Sequence, residues 1–182
     1  TALSRLAQFE FPVQLNETVR TYFERSALAE TDPKVAADMR AVARSSPDAA
    51  AAARLSARLP YYNSIMRTTC VATLLAGGHA PNALPQLATA NVNCRILPGV
   101  SAAAVREKLV QVIADPKVAV SLVREATPSE PSPLRPDVIG AVESLSKAMF
   151  PGVIVVPVMA TGATDGLYLR NANIPTYGID GT

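Results

Sequence analysis

Two polar side chains sit where a plain hairpin would not put them. In "GGHAPNALPQLATANVNCRILPG", residues 77–99, Asn82 falls in the loop and Arg95 follows thirteen positions later, near the end of the second strand. Arg95 stands among Val92, Cys94, Ile96 and Leu97, unusual company for a guanidinium that has only donors to offer. Groups of this kind hold polar partners; they do not attack bonds. The bland alternatives are that Arg95 snorkels to water or pairs with an acid, and that Asn82 merely shapes its turn. A second cluster is "TGATDG", residues 161–166, which brings Gly162, Thr164 and Asp165 together in what alone reads as a tight turn with a capping aspartate. A third is Cys70, the single histidine His79, and Cys94. The two cysteines fall at roughly mirror positions about the loop. Buried free thiols are the favoured reading, a disulfide across the hairpin is the second, and a zinc site with His79 is the third. The zinc reading lacks a close-spaced ligand pair.

The bulk properties narrow the partners. Of 182 residues, 49% are hydrophobic and 18% charged, a balance that suits a folded domain rather than a disordered chain. Seventeen basic and fifteen acidic residues leave a net charge of +2 with no basic stripe, which argues against nucleic acid. The longest apolar run, "VIVVPVMA", is too short to span a bilayer. The first residue is Thr1 and no signal peptide is visible, so the compartment stays open.

The elements that must position these residues follow from periodicity. Residues 1–8 read as a helix end, broken at Pro12. A helical insertion over about 16–66 opens with Asn16 as cap and puts Val19, Tyr22 and Phe23 at helical spacing. It continues with Pro33 in the first turn of a second helix, and its alanine-rich third helix stops before Pro60. Strands follow at about 68–75 and 89–97, then a helix capped by Ser101, then a third strand at "KVAVSLVRE", 117–125. Strand, strand, helix, strand is three quarters of a split β-α-β-β-α-β sandwich, an α+β, ferredoxin-like domain over 1–125 whose first strand is not in this sequence. Pro128, Pro131, Pro133 and Pro136 mark a linker over 126–136. Residues 137–182 then read as a partial α/β segment: a helix capped by Asp137, a buried strand "GVIVVPVMA", a short helix, and a buried strand "PTYGID". A missing central strand predicts an exposed sheet edge, and hence a homodimer through that edge or by strand exchange.

The two motifs together resemble the lid, or dimerisation, domain and the late catalytic segment of the co-catalytic zinc exopeptidases and deacylases. That group includes glutamate carboxypeptidase, succinyl-diaminopimelate desuccinylase, aminoacylase and carnosinase. The "GG…N-A-L-P" turn, the strand ending in Arg95 before Pro98, and the "TGATDG" turn carry the resemblance. It implies a parent enzyme with two zinc ions, in which a metal-bound water attacks an amide carbonyl. It implies further that Asn82 and Arg95 grip the free carboxylate of a small peptide or N-acyl amino acid. Gly162 would let backbone approach the substrate, Thr164 would offer a hydroxyl, and Asp165 would hold the turn. The family's H-x-D motif, adjacent Glu-Glu pair and closing histidine have no match here, and His79 does not match the lid histidine. The expectation is a fragment that supplies the lid but neither catalytic residues nor metal ligands, and is inactive alone. A non-catalytic α+β module that dimerises or binds a small ligand is the alternative.

Overall fold

The structure is a computed structural model, which describes residues 1–181. In chain order the elements are α1 (Ala2–Gln8), α2 (Glu17–Ala29), α3 (Pro33–Val42), α4 (Ala49–Arg58), α5 (Pro60–Met66), β1 (Thr69–Gly77), β2 (Ala88–Arg95), α6 (Ala102–Ile113), α7 (Pro136–Met149) and α8 (Gly166–Asn171). They sort into two compact units. One comprises residues 1–11 and 68–127, the other 12–67 and 128–182.

The first unit is mixed helix and strand, in keeping with an α+β dimerisation domain. β1 and β2 form an antiparallel two-stranded sheet, from Thr69 opposite Arg95 at its open end to Gly77 opposite Ala88 at the loop, with one irregularity between Ala72 and Leu74. Gly78 turns the chain at φ +79°, a left-handed conformation glycine adopts without a Cβ penalty. Ser101 caps α6 by accepting from the Ala104 N–H at 3.1 Å. Val105, Leu109 and Ile113, at helical spacing on α6, are buried together with Leu97. Arg5 of α1 donates to the carbonyls of Ile113 and Ala114, satisfying the open end of α6. Thr68, itself buried, accepts from the Leu97 N–H at 3.2 Å and so closes the open end of the hairpin.

The third strand expected at 117–125 does not form. That stretch is tied to α6 by Arg106, whose Nε donates to the Val120 carbonyl at 2.9 Å, but it joins no ladder. A strand exists only with a partner. In the split sandwich that partner is the central first strand, and no segment among the described residues takes its place.

The second unit is built around α2–α5. Asn16, Asp32 and Asp48 each cap the following helix by accepting a backbone N–H, at 2.9, 2.9 and 2.7 Å. Val19, Phe23 and Ala27 of α2 are buried with Val35, Met39 and Val42 of α3, Leu55 of α4, and Ile65 and Met66 of α5. The chain does not simply stop at Pro60. Proline at the first helical position restarts it as α5, where its missing N–H costs no hydrogen bond. The same rule displaces the expected cap of α7. Pro136 opens that helix behind Arg135, and Asp137 in its first turn pairs with Arg135 at 2.6 Å instead of capping.

The helical insertion, expected to belong with the lid, sorts with the C-terminal segment. Arg25 Nη1 of α2 donates to the Glu143 carboxylate of α7 at 2.6 Å and to the Val155 carbonyl at 2.8 Å. Asn16 Nδ2 meets Met159 Sδ at 3.4 Å, and Met159 packs against the helical core. The expected buried strands over 152–160 and 175–180 form no ladder; each would need neighbours on both sides, which no described segment supplies. Side chains hold these stretches instead. The proline-rich stretch is tied down as well. Ser132 Oγ donates to the Thr176 carbonyl at 2.8 Å and accepts from its N–H at 2.9 Å, and Tyr177 Oη donates to the Pro133 carbonyl at 2.7 Å.

Candidate functional site

The hairpin sorts its side chains by the period of two that a strand imposes. Cys70, Val71, Ala72 and Val92 line a groove with Leu3, Leu6 and Ala7 of α1. The opposite, open face of β2 carries Thr89, Asn91, Asn93 and Arg95 in alternation. Arg95 is exposed, and among the described residues its guanidinium has no hydrogen bond or ion pair. From Thr68 to Gly99 there is no Asp or Glu at all, so the hairpin holds no acid of its own to neutralise it. The open face therefore displays a free positive fork at the end where Thr68 fastens the strands.

Asn82 is also exposed, in the loop beyond the closed end, next to a turn in which Ala83 N–H donates to the Ala80 carbonyl at 3.4 Å. The structure does not bring it to Arg95. β2 alone runs about 23 Å from Ala88 to Arg95 at the usual strand rise; Arg95 is the last residue of the ladder at one end, and Asn82 lies in the loop beyond the other.

The cysteines are not free thiols. Cys70 and Cys94 stand directly opposite in the register, with Cα atoms 4.1 Å apart, and are joined by a disulfide. Opposed residues on one face are the closest side-chain pair an antiparallel ladder provides, which is why the bond forms here. It also removes the arrangement with His79 as a zinc site. Among the described residues no group of three or more His, Cys, Asp and Glu side chains is placed to hold a metal. The residues present do not fit the two-zinc centre that the resemblance implies.

In the second unit, Gly162, Thr164 and Asp165 are exposed together in the turn before α8. A side chain at Gly162 would meet open space. Asp165 occupies the cap position of α8 without a side-chain cap bond; the backbone carbonyls of Thr164 and Asp165 take the first N–H groups, each at 3.1 Å. The residue that sequence reasoning passed over is Gly166. It is buried, and a Cβ there would come within 2.8 Å of Arg170 Nη1 and 3.2 Å of Thr164 Oγ1. Arg170 in turn donates to Ser129 Oγ at 3.0 Å. The glycine ending "TGATDG" was the available signal: it is the position where the turn closes on an arginine.

The helical unit carries one electrostatic feature. Tyr22, Tyr61 and Tyr62 cluster with Phe23. Burial first, then the neighbouring Tyr62 and Tyr61, pushes the Tyr22 hydroxyl up to about 12. That keeps its proton in place through the neutral range. No helix among the described residues is long and apolar enough to cross a membrane.

Residues 3–120, which contain the whole hairpin and its helices, match the family described as "Peptidase dimerisation domain". The chain is 32% identical over 127 residues to the N-fatty-acyl-amino acid synthase/hydrolase PM20D1 of Mus musculus, and to the same degree and extent to that of Homo sapiens. These alignments cover 68% of this chain and 25% of each relative. It is 28% identical over 121 residues to the probable carboxypeptidase S-like 2 of Dictyostelium discoideum, covering 65% of this chain and 23% of that one. No solved structure matches it. The chain thus spans about a quarter of the length of the curated relatives it matches. With a matched segment that takes in α1, both strands and α6, this chain belongs to the peptidase dimerisation-domain family.

Proposed function

We propose that this chain is the lid and dimerisation part of a zinc-dependent hydrolase that cuts peptide or N-acyl amide bonds in small substrates bearing a free carboxylate. Arg95 is the carboxylate anchor. The observation that carries this reading is an exposed guanidinium, unpaired among the described residues, on the open face of a hairpin without a single acid. A planar fork is suited to a carboxylate and adds binding energy remote from the scissile bond. Relatives named as a fatty-acyl-amino acid hydrolase and a carboxypeptidase-like protein support the same substrate class. Zinc would be held by residues outside this chain, and no chemical step is assigned to residues within it.

The separation of Asn82 from Arg95 refines the proposal. A small substrate does not bridge about 23 Å, so the two cannot grip one carboxylate from a single hairpin. In a homodimer they can serve one substrate if the loop of the second copy supplies Asn82. Gly162 and Thr164 would offer backbone and a hydroxyl from the exposed turn, with Asp165 supporting it.

The test is hydrolysis of an N-acyl amino acid by the intact protein. Activity that a chelator abolishes and zinc restores is the expected result. Activity that persists undiminished after complete metal removal contradicts the proposal.

A further inference from the structure

We infer that Asn93 is a ligand-contact residue beside Arg95, reading the amide of an extended, peptide-like molecule whose free carboxylate Arg95 holds. The inference rests on the reading of Arg95 as a carboxylate anchor and adds to it a second contact and a binding direction along β2.

Three observations support it. First, strand alternation puts Asn91, Asn93 and Arg95 on the open face, while Val92 and Cys94 take the other. Second, only one of the two amides is available. Asn91 Nδ2 donates to Thr73 Oγ1 at 3.4 Å, whereas the Asn93 side chain is exposed and has no hydrogen bond among the described residues. Third, the residue opposite Asn93 in the register is Val71, which is 63% exposed and also lines the groove beside α1. An apolar side chain thus stands next to the guanidinium and the free amide.

The occupant follows from charge and spacing. With no acid between Thr68 and Gly99, nothing in the hairpin neutralises Arg95, and its fork is open to an anionic ligand. Same-face side chains two residues apart on a strand are separated by about 7 Å, the same interval as alternate groups of an extended peptide. A chain laid along β2 with its carboxylate on Arg95 therefore presents an amide to Asn93, which offers both a donor and an acceptor.

The experiment is a nuclear magnetic resonance titration of the isotope-labelled chain with acetate and, separately, with N-acetylglycylglycine. Acetate is expected to shift the Arg95 signals and leave the Asn93 side-chain amide in place; N-acetylglycylglycine is expected to shift both. Asn93→Ala should weaken N-acetylglycylglycine about fivefold, the loss of one hydrogen bond, and leave acetate unchanged. Asn93→Gln, which keeps the amide, should fall between. Arg95→Met should abolish both responses. Asn93 is exposed, so its variants are expected to fold, which far-ultraviolet circular dichroism checks. Should Arg95 respond while Asn93 stays silent, or should Asn93→Ala weaken both probes alike, the inference falls and the carboxylate anchor stands. Should neither residue respond, both fall.

Discussion

At the scale of single residues, the proposed contact residues Arg95, Asn82, Gly162 and Thr164 are all exposed, whereas Tyr22 sits in an aromatic cluster that raises its pKa to about 12. That shift has a sign that can be tested. The folded state keeps the Tyr22 proton through the range, about pH 10 to 12, in which the unfolded chain loses it. Stability is therefore untouched below pH 10 and declines as pH rises toward 12. Tyr22→Phe is expected to flatten that decline, as read by denaturant midpoints at pH 8, 10 and 11. The odd placing of Arg95 was legible in the sequence, because a charge among apolar strand residues stands out. Gly166 was not, because its need for space comes from Arg170 and Thr164, side chains whose approach only the folded turn reveals.

At the scale of elements, helices with a side-chain cap were legible, while α5, which opens on Pro60, and lone strands were not. A helix carries its own hydrogen bonds and its own caps, so Asn16, Asp32, Asp48 and Ser101 announce α2, α3, α4 and α6 from local sequence alone. A strand is completed by a neighbour. β1 and β2 are neighbours in sequence and pair; 117–125 and 152–160 have strand-like composition but no partner among the described residues. The disulfide belongs to this scale as well. The spacing of Cys70 and Cys94 left the bond open, and the register closes it. A cross-link spanning 24 positions stabilises by about 3.5 kcal/mol on the loop-closure estimate. Replacing both cysteines with serine is expected to lower the stability of the hairpin unit by about 3 kcal/mol, while the α2–α5 unit keeps its denaturant midpoint. In that second unit, Phe23→Ala should cost about 3–5 kcal/mol, because it leaves a cavity in a core where Phe23 is fully buried. Arg25→Met removes the donor to Glu143 and Val155. Its expected effect is faster hydrogen exchange and proteolysis over 153–164 with the helices intact.

At the scale of the whole molecule, the two-stranded sheet is all edge. Leu74, Leu75, Leu84 and Leu87 are each about two-thirds exposed or more, on or beside strands with unpaired outer backbone. Such an edge in a peptidase dimerisation domain fits self-association. Sedimentation at rising concentration should approach twice 19.1 kDa, and Leu74→Lys should hold the chain at the monomer mass. The central claim, that Arg95 exists to hold a free carboxylate, is tested most directly by substrate selectivity in the intact protein. The measurement is kcat/KM for an N-acyl amino acid divided by that for its carboxamide, in the wild type and in Arg95→Met. The expected result is a strong preference for the acid in the wild type that collapses toward one in the variant, mainly through KM. An acid-to-amide ratio left unchanged by Arg95→Met contradicts it.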